Sequence, residues 1–345
     1  MLLPAVLVGA LSVTMSGRVA LADSSATLRE TPEAYLQACI SNSRKHMTGE
    51  HTGDAWTWHA RHPMHSFLDA YLATRDAAWL DAAVEYFESC LKLLATGPDG
   101  EKGWLGPAYR MPDRLGEYPT GDVLLLEPMT RFAALVTKDE PALADKYGQA
   151  AARYVDLAEK QAFAKWEKRG IWRESGPYGA FLDWPWTFTE EAPGRWHAPP
   201  PGKSEFTLPL NMQAYWGITA LRLYRITGRD AWHDKAERIF RFAKSRFTLY
   251  DDHYAWNYWE PFGPWDLKPG NPQDFSSWID THPYANYQAG EVAAFVEAYH
   301  HGVVFDEQDM RRLVRTNLHV MWNGNLDNPQ WNNSNAGVQK AALGE

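Results

Sequence analysis

One spacing is repeated along this chain, and it narrows the choice of fold more than any other feature. Trp79, Asp81, Ala83 and Phe87 in "DAAWLDAAVEYFESCLKLL" recur with the same internal spacing as Trp232, Asp234, Ala236 and Phe240 in "ITALRLYRITGRDAWHDKAERIFRFAKSRF". Weaker copies are "RFAALVTKDEPALADKYGQAAARYV" and "FVEAYHHGVVFDEQDMRRLVRTNLHVM". Each copy reads as helix, short polar turn, helix, with apolar residues at i, i+3, i+4 and i+7. A further helix, "TPEAYLQACISNSRKHM", precedes them. A helical pair buries its apolar stripe only against another pair, so repeated hairpins stack. Runs that would read as strands are absent, and the expected class is all-α.

Solenoid and toroid both satisfy the repeat, and the linkers separate them. The turns inside hairpins (74–76, 138–140, 228–230 and 302–305) are tight. The connections between hairpins (97–121, 170–209 and 250–283) are long and carry Trp, Tyr, Gly and Pro. Long connections bearing functional side chains gather on one face of a rigid scaffold. The expectation is an (α/α)n toroid or incomplete barrel of helical hairpins, with long aromatic-rich loops on one face.

The apolar run from Leu2 to Met15 is too short to span a bilayer, and Ala20-Leu21-Ala22 is a small-x-small cleavage signal. Residues 1–22 therefore read as a signal peptide and 23–345 as one domain of a periplasmic or secreted protein. A net charge of −9 and the lack of a basic run disfavour nucleic acid. No other segment is long and apolar enough for a membrane span. Cys39 and Cys90 could pair in an oxidising compartment or remain buried thiols. Oligomeric state is not legible.

Seventeen Trp and sixteen Tyr exceed what core packing needs, and many fall in the Gly/Pro-rich connections. In "DDHYAWNYWEPFGPWD" the rings of Trp256, Tyr258 and Trp259 alternate with Asn257 and carboxylates, a pattern suited to stacking on sugars or to capping a barrel end. His253 in that loop is a candidate general base. In "DTHPYANYQAGEVAAFVEAYHHG", His282 sits at a helix mouth with Pro283 in the first turn, and Tyr284, Tyr287, Gln288 and Glu291 share a face. In "TLPLNMQAYWGITAL", Asn211 and Gln213 follow Pro209 at another helix start, where free backbone N–H groups favour an anion. His59, His62 and His65 flank Pro63, read as a helix start. No neighbouring Asp or Glu completes a metal set, so no metal is expected and His59 reads as cleft lining. Tyr178, Trp184, Trp104, Tyr109 and Arg110 read as cleft walls, and Asp122 as an N-cap.

Taken with "NYQAGEVAAFVEAYHHGVVFDE", "TNLHVMWNGNLDNPQ" and "GPYGAF", the aromatic loop resembles the α/α-toroid polysaccharide lyases, in particular family 38, whose members cleave alginate or glucuronan. The resemblance covers most of the chain from about Trp56 to Asn335. It implies β-elimination on a polyuronate without a cofactor. Tyr287 would be the acid or acid/base, and His253 the base or its assistant. Asn211, Gln213 and His282 would address the substrate carboxylate. Trp256, Tyr258 and Trp259 would position sugar rings, with Asn257, His59, Tyr178 and Glu291 also lining the site. The segment around Tyr287 has no Arg, so Arg61, Arg110 or Arg173 would supply positive charge from elsewhere. Two other readings stay open. One is a glycoside hydrolase or uronate epimerase using loop carboxylates such as Glu190, Glu191, Glu205, Glu260, Asp266, Asp280 and Glu291. The other is a non-catalytic glycan-binding protein.

Overall fold

The computed structural model describes residues 31–335 except 48, 50, 109–110, 184–185, 193–194, 198–205, 269–270, 276–284 and 333. Its helices are α1 (Pro32–Arg44), α2 (Gly53–Thr74), α3 (Ala78–Leu91), α4 (Pro119–Ala134), α5 (Ala144–Leu157), α6 (Lys165–Lys168), α7 (Leu210–Thr227), α8 (Asp230–Ser245), α9 (Ala285–His300) and α10 (Glu307–Arg315). The first helix of each hairpin packs against the first helix of the next, in the row α2, α4, α7, α9. Their partners α3, α5, α8 and α10 form the outer layer. The row curves, because Arg61 of α2 reaches past α4 to lie over the Tyr215 ring of α7, 3.9 Å from its centroid. The chain is an incomplete α/α toroid. All four inner helices point the same way, so the long connections meet their N-terminal ends, the mouth, and the tight turns meet the opposite end.

The repeated Trp and Phe positions belong to the packing between layers. Trp79 tilts against Phe67 and Tyr35, and Trp232 against Phe163. Phe87 and Phe240 are wholly buried. The middle of the core is aromatic: Phe181 stacks on Trp216 at 3.9 Å, with Phe163 edge-on to both. Such pairs add about 0.5–1.5 kcal/mol each beyond the area they bury.

Three sequence expectations are corrected here. Pro63 does not start a helix; it lies inside α2, so His59 is helical. Trp56, Ala60, Met64, Phe67 and Leu68 are buried on both sides of it, and burying them outweighs the roughly 3 kcal/mol a mid-helix proline costs. Asp122 is not an N-cap either. Tyr118 caps α4, and Asp122 lies buried in the first turn, accepting from Trp166 Nε1 at 2.6 Å beside Lys165 Nζ at 2.5 Å. The connections are not strand-free. They fold into small antiparallel sheets, including a four-stranded one (Gly106–Ala108, Met111–Glu117, Trp186–Ala192, Arg195–His197) and a three-stranded one (Trp172–Ser175, Tyr178–Asp183, Phe206–Thr207). Cys39 and Cys90 are both buried free thiols. No helix among the described residues is long and apolar enough to cross a membrane.

Candidate active site

The N-terminal turns of α7 and α9 bury polar side chains where a packed core would be apolar. Asn211, in the first turn of α7, is 1% exposed and its Oδ1 has no hydrogen-bond partner. Gln288 of α9 is 2% exposed, with neither side-chain Oε1 nor Nε2 partnered. Glu291, almost one turn further on, is 0% exposed. Its Oε2 accepts from the Trp256 indole N–H at 2.6 Å, while Oε1 has no partner. Burial pushes the Glu291 carboxyl up to about 8, against the opposing pull of the indole. Leaving buried polar atoms unmatched costs about 1–3 kcal/mol each. Each such group calls for a partner, and a water, an ion or a ligand atom can supply it.

Above this set lies a group of tyrosines. Tyr258 and Tyr287 pack with ring centroids 5.0 Å apart and planes at 36°. The Tyr258 carbonyl accepts from Leu210 N at 3.0 Å, which ties the aromatic loop to the start of α7. Burial raises the Tyr258 phenol, and Tyr287, Glu291, Asp183 and Tyr215 are near enough to add to the rise. That list of neighbours defines the site: three phenols and two carboxyl groups from α7, α9, the aromatic loop and the end of the Tyr178–Asp183 strand. Arg61 brings positive charge over Tyr215, and its Nε is buried without a partner.

Deeper along the inner helices runs a chain of ion pairs. His65 Nε2 lies 2.9 Å from Glu127 Oε2, and Arg222 joins Glu127 Oε1 at 2.5 Å to Glu297 Oε2 at 2.7 Å. Burial alone would push Glu127 up, but His65 and Arg222 hold its carboxyl well below the usual range. Glu297 is lowered in the same way by Arg222. The Arg222 pairs tie α4, α7 and α9 together under the mouth, with His65 of α2 against the other Glu127 oxygen.

The residues singled out from sequence divide clearly. Tyr287, Tyr258, Trp259, Asn211 and Glu291 meet in or around the mouth, although Trp259 is buried against Phe206 and offers no open face. Trp256 is likewise no stacking platform: it is buried beside Phe247 and Phe295 and serves as the donor to Glu291. Gln213 turns its amide to the backbone. Its Oε1 accepts from Phe181 N at 3.0 Å, and its Nε2 donates to the Phe181 and Leu208 carbonyls at 2.7 and 3.2 Å. Asn257 is turned to Glu260, 2.8 Å away. His59 is exposed and stacks on His46 at 3.4 Å. Tyr178 stands at the tip of a strand pair whose Gly176 carbonyl accepts from Arg238 of the outer helix α8. His253 faces the outer rim, stacked on Tyr250 and beside Asp252, which in turn lies near Arg315 and His319. Its ring therefore sits apart from the tyrosine group. His282, Tyr284, Tyr109, Arg110 and Trp184 fall outside what can be described of side chains.

Sequence reading missed Tyr215 and Asp183. Tyr215 had a signal, since it lies four residues after Asn211 and so on the same helical face. Asp183 had little, because its place depends on the pairing of its strand with Phe206–Thr207. Among the described residues one group has metal-ligand geometry, His233, Asp234 and Glu237 on α8, remote from the mouth.

No protein-family model matches the chain, and no curated protein matches it. Among solved structures it is similar to a GH76 α-mannanase from Bacteroides thetaiotaomicron (10% identity, TM-score 0.49, 83% of this chain and 63% of that one). A glycoside hydrolase family 76 mannosidase from the same organism gives 13% identity, a TM-score of 0.48 and coverage of 84% and 65%. Cellobiose 2-epimerase from Spirochaeta thermophila gives 18%, 0.35, and 69% and 60%. The chain thus spans less than two thirds of the length of each. None of these three is a polysaccharide lyase.

Proposed function

We propose that the protein is an exported enzyme that cleaves a uronic-acid-containing polysaccharide by β-elimination, with the mouth of the toroid as its active site. The observation that carries this reading is the group of buried, unmatched polar atoms on Asn211, Gln288 and Glu291 beneath paired tyrosines. β-Elimination removes the proton at C5, forms the C4–C5 double bond and breaks the bond from C4 to the linking oxygen, which takes up a proton. Charge accumulates on the neighbouring carboxylate as C5–H breaks, so donors aimed there lower the barrier. Gln288 Nε2 and a Glu291 kept protonated near neutral pH are such donors, and Arg61 adds positive charge. Tyr287, starting as the phenolate, takes the C5 proton and then gives it as the phenol to the leaving oxygen. Tyr258, held as the neutral phenol, hydrogen-bonds to the reacting groups. His253 takes no part in proton transfer, given its place on the outer rim.

The test is incubation of purified protein with alginate, glucuronan and pectate while following the ultraviolet absorbance of the unsaturated product. Absorbance should rise with at least one polymer, and Tyr287→Phe should reduce turnover by about 10²–10⁴-fold. A second reading has its own support: Glu291 with a raised pKa and Asp183 near the same phenol make a carboxyl pair suited to glycoside hydrolysis. New reducing ends without the chromophore would favour that reaction over elimination.

A further inference from the structure

Residues 321–332 form a feature that the site does not use. Trp322 and Trp331 pair across a short antiparallel ribbon, with Asn323 N donating to Gln330 O at 3.0 Å and Asn332 N to Met321 O at 2.7 Å. Their rings stack, centroids 6.0 Å apart and planes at 22°. Side-chain amides brace the ribbon. Asn323 Oδ1 accepts from Asn325 N and Gln330 N, both at 3.1 Å, and its Nδ2 donates to Asn328 O at 2.9 Å. Asn325 Oδ1 accepts from Asp327 N and Asn328 N, and Asn332 Nδ2 donates to Val320 O at 3.0 Å. For all this bracing, Trp331 remains 53% exposed. Two stacked indoles braced by this many local hydrogen bonds form a preformed apolar face with a polar edge.

The ribbon's position ties that face to the mouth. It follows directly on the helical turn Thr316–Met321, which ends the α9–α10 hairpin on the mouth side, where Thr316 Oγ1 donates to Tyr254 O at 2.6 Å. Four residues beyond Trp331, Asn335 is buried and its Nδ2 donates to Trp256 O at 3.3 Å. Trp256 is the donor to Glu291. Four residues span at most about 14 Å, so the platform lies a few sugar units from the mouth. The same ribbon carries Asp327, Asn328 and Gln330, all exposed, polar groups of the kind that meet sugar hydroxyls.

We infer that the Trp322–Trp331 ribbon is a distal glycan subsite, on which non-reacting pyranose rings of a chain threaded through the mouth stack against Trp331. This rests on the glycan reading of the mouth, which makes the substrate a polymer and not a short oligosaccharide. The test compares wild type, Trp331→Ala and Trp331→Phe on alginate and glucuronan, as long chains and as their short oligomers. Folding is checked by melting temperature, and polymer binding by gel retardation. Trp331→Ala should raise KM for the long chain roughly tenfold, the loss typical of truncating an aromatic anchor. It should leave kcat and the short-oligomer KM unchanged, and Trp331→Phe should restore most of the loss. An unchanged long-chain KM, or equal losses on long and short substrates, would overturn the subsite while leaving the lyase reading intact. Retardation by a polymer that is not turned over, abolished in Trp331→Ala, would uphold the subsite and reject the lyase reading. A change in sedimentation of Trp331→Ala with unchanged retardation would assign the ring to self-association instead and overturn the inference.

Discussion

Glu291 is the residue whose chemistry departs furthest from its ordinary state. Its carboxyl ionises near 4.5 in the unfolded chain and near 8 in the fold. For an acid raised in this way, the folded state holds the extra proton between those values, so stability is full below about pH 4.5 and falls as pH rises towards 8. Melting curves from pH 4 to 9 should show this decline in wild type and a flatter profile in Glu291→Gln; equal slopes would mean the carboxyl is not buried as described. Gln213 makes the contrasting case. Gln213→Leu should lower stability by about 2–4 kcal/mol in urea titrations, since it orphans the Phe181 N–H and the Leu208 carbonyl, while KM in the surviving protein stays unchanged. The two residues look alike in sequence, polar positions near helix starts. What separates them is whether a neighbouring backbone claims the amide, and the neighbour of Gln213 is a strand about thirty residues away in the chain. Local pattern holds no information on that.

At the scale of elements, the inner helices are held in register by charge as well as by apolar packing. Arg222 bonds to Glu127 of α4 and Glu297 of α9 at once. Removing it leaves the buried Glu127 carboxylate with only His65 and the half-buried Glu297 carboxylate without its partner, and Arg222→Ala should destabilise the fold by about 3 kcal/mol in chemical denaturation. Because both carboxyls sit below their usual range, the stabilisation is present above about pH 4.5 and disappears as pH falls through their folded values. The loss caused by Arg222→Ala should therefore shrink in acid, and a pH-independent loss would contradict the network. Helices and their pairing were legible because the apolar period and the Trp–Asp–Ala–Phe spacing repeat locally. The extent of α2 was not, because burial on both sides of Pro63 overrides a strong local stop. The aromatic connections were legible as a cluster but not as open platforms. Trp256 and Trp259 turn inward since a ring of that size, once near a core, gains more from burial than from solvent.

For the whole molecule, a curved row of parallel inner helices puts their N-terminal ends, and every long connection, on one face. That asymmetry of linkers is readable in the chain, because the long connections all follow the outer helix of one hairpin and precede the inner helix of the next. His253 was assigned to the same mouth on proximity in sequence. The short strand pair Thr248–Tyr250 with His253–Ala255 instead sets it against the outer hairpin, a long-range packing that spacing does not encode. The central claim is that the unmatched groups of Asn211, Gln288 and Glu291 receive the carboxylate of an acidic sugar beneath the tyrosines. It is tested most directly by a crystal structure of Tyr287→Phe soaked with a uronate oligomer. The carboxylate should lie within hydrogen-bond distance of Gln288 Nε2 and Glu291 Oε1, with C5 towards position 287. A sugar seated elsewhere, with those groups still unmatched beneath Tyr258, would contradict it.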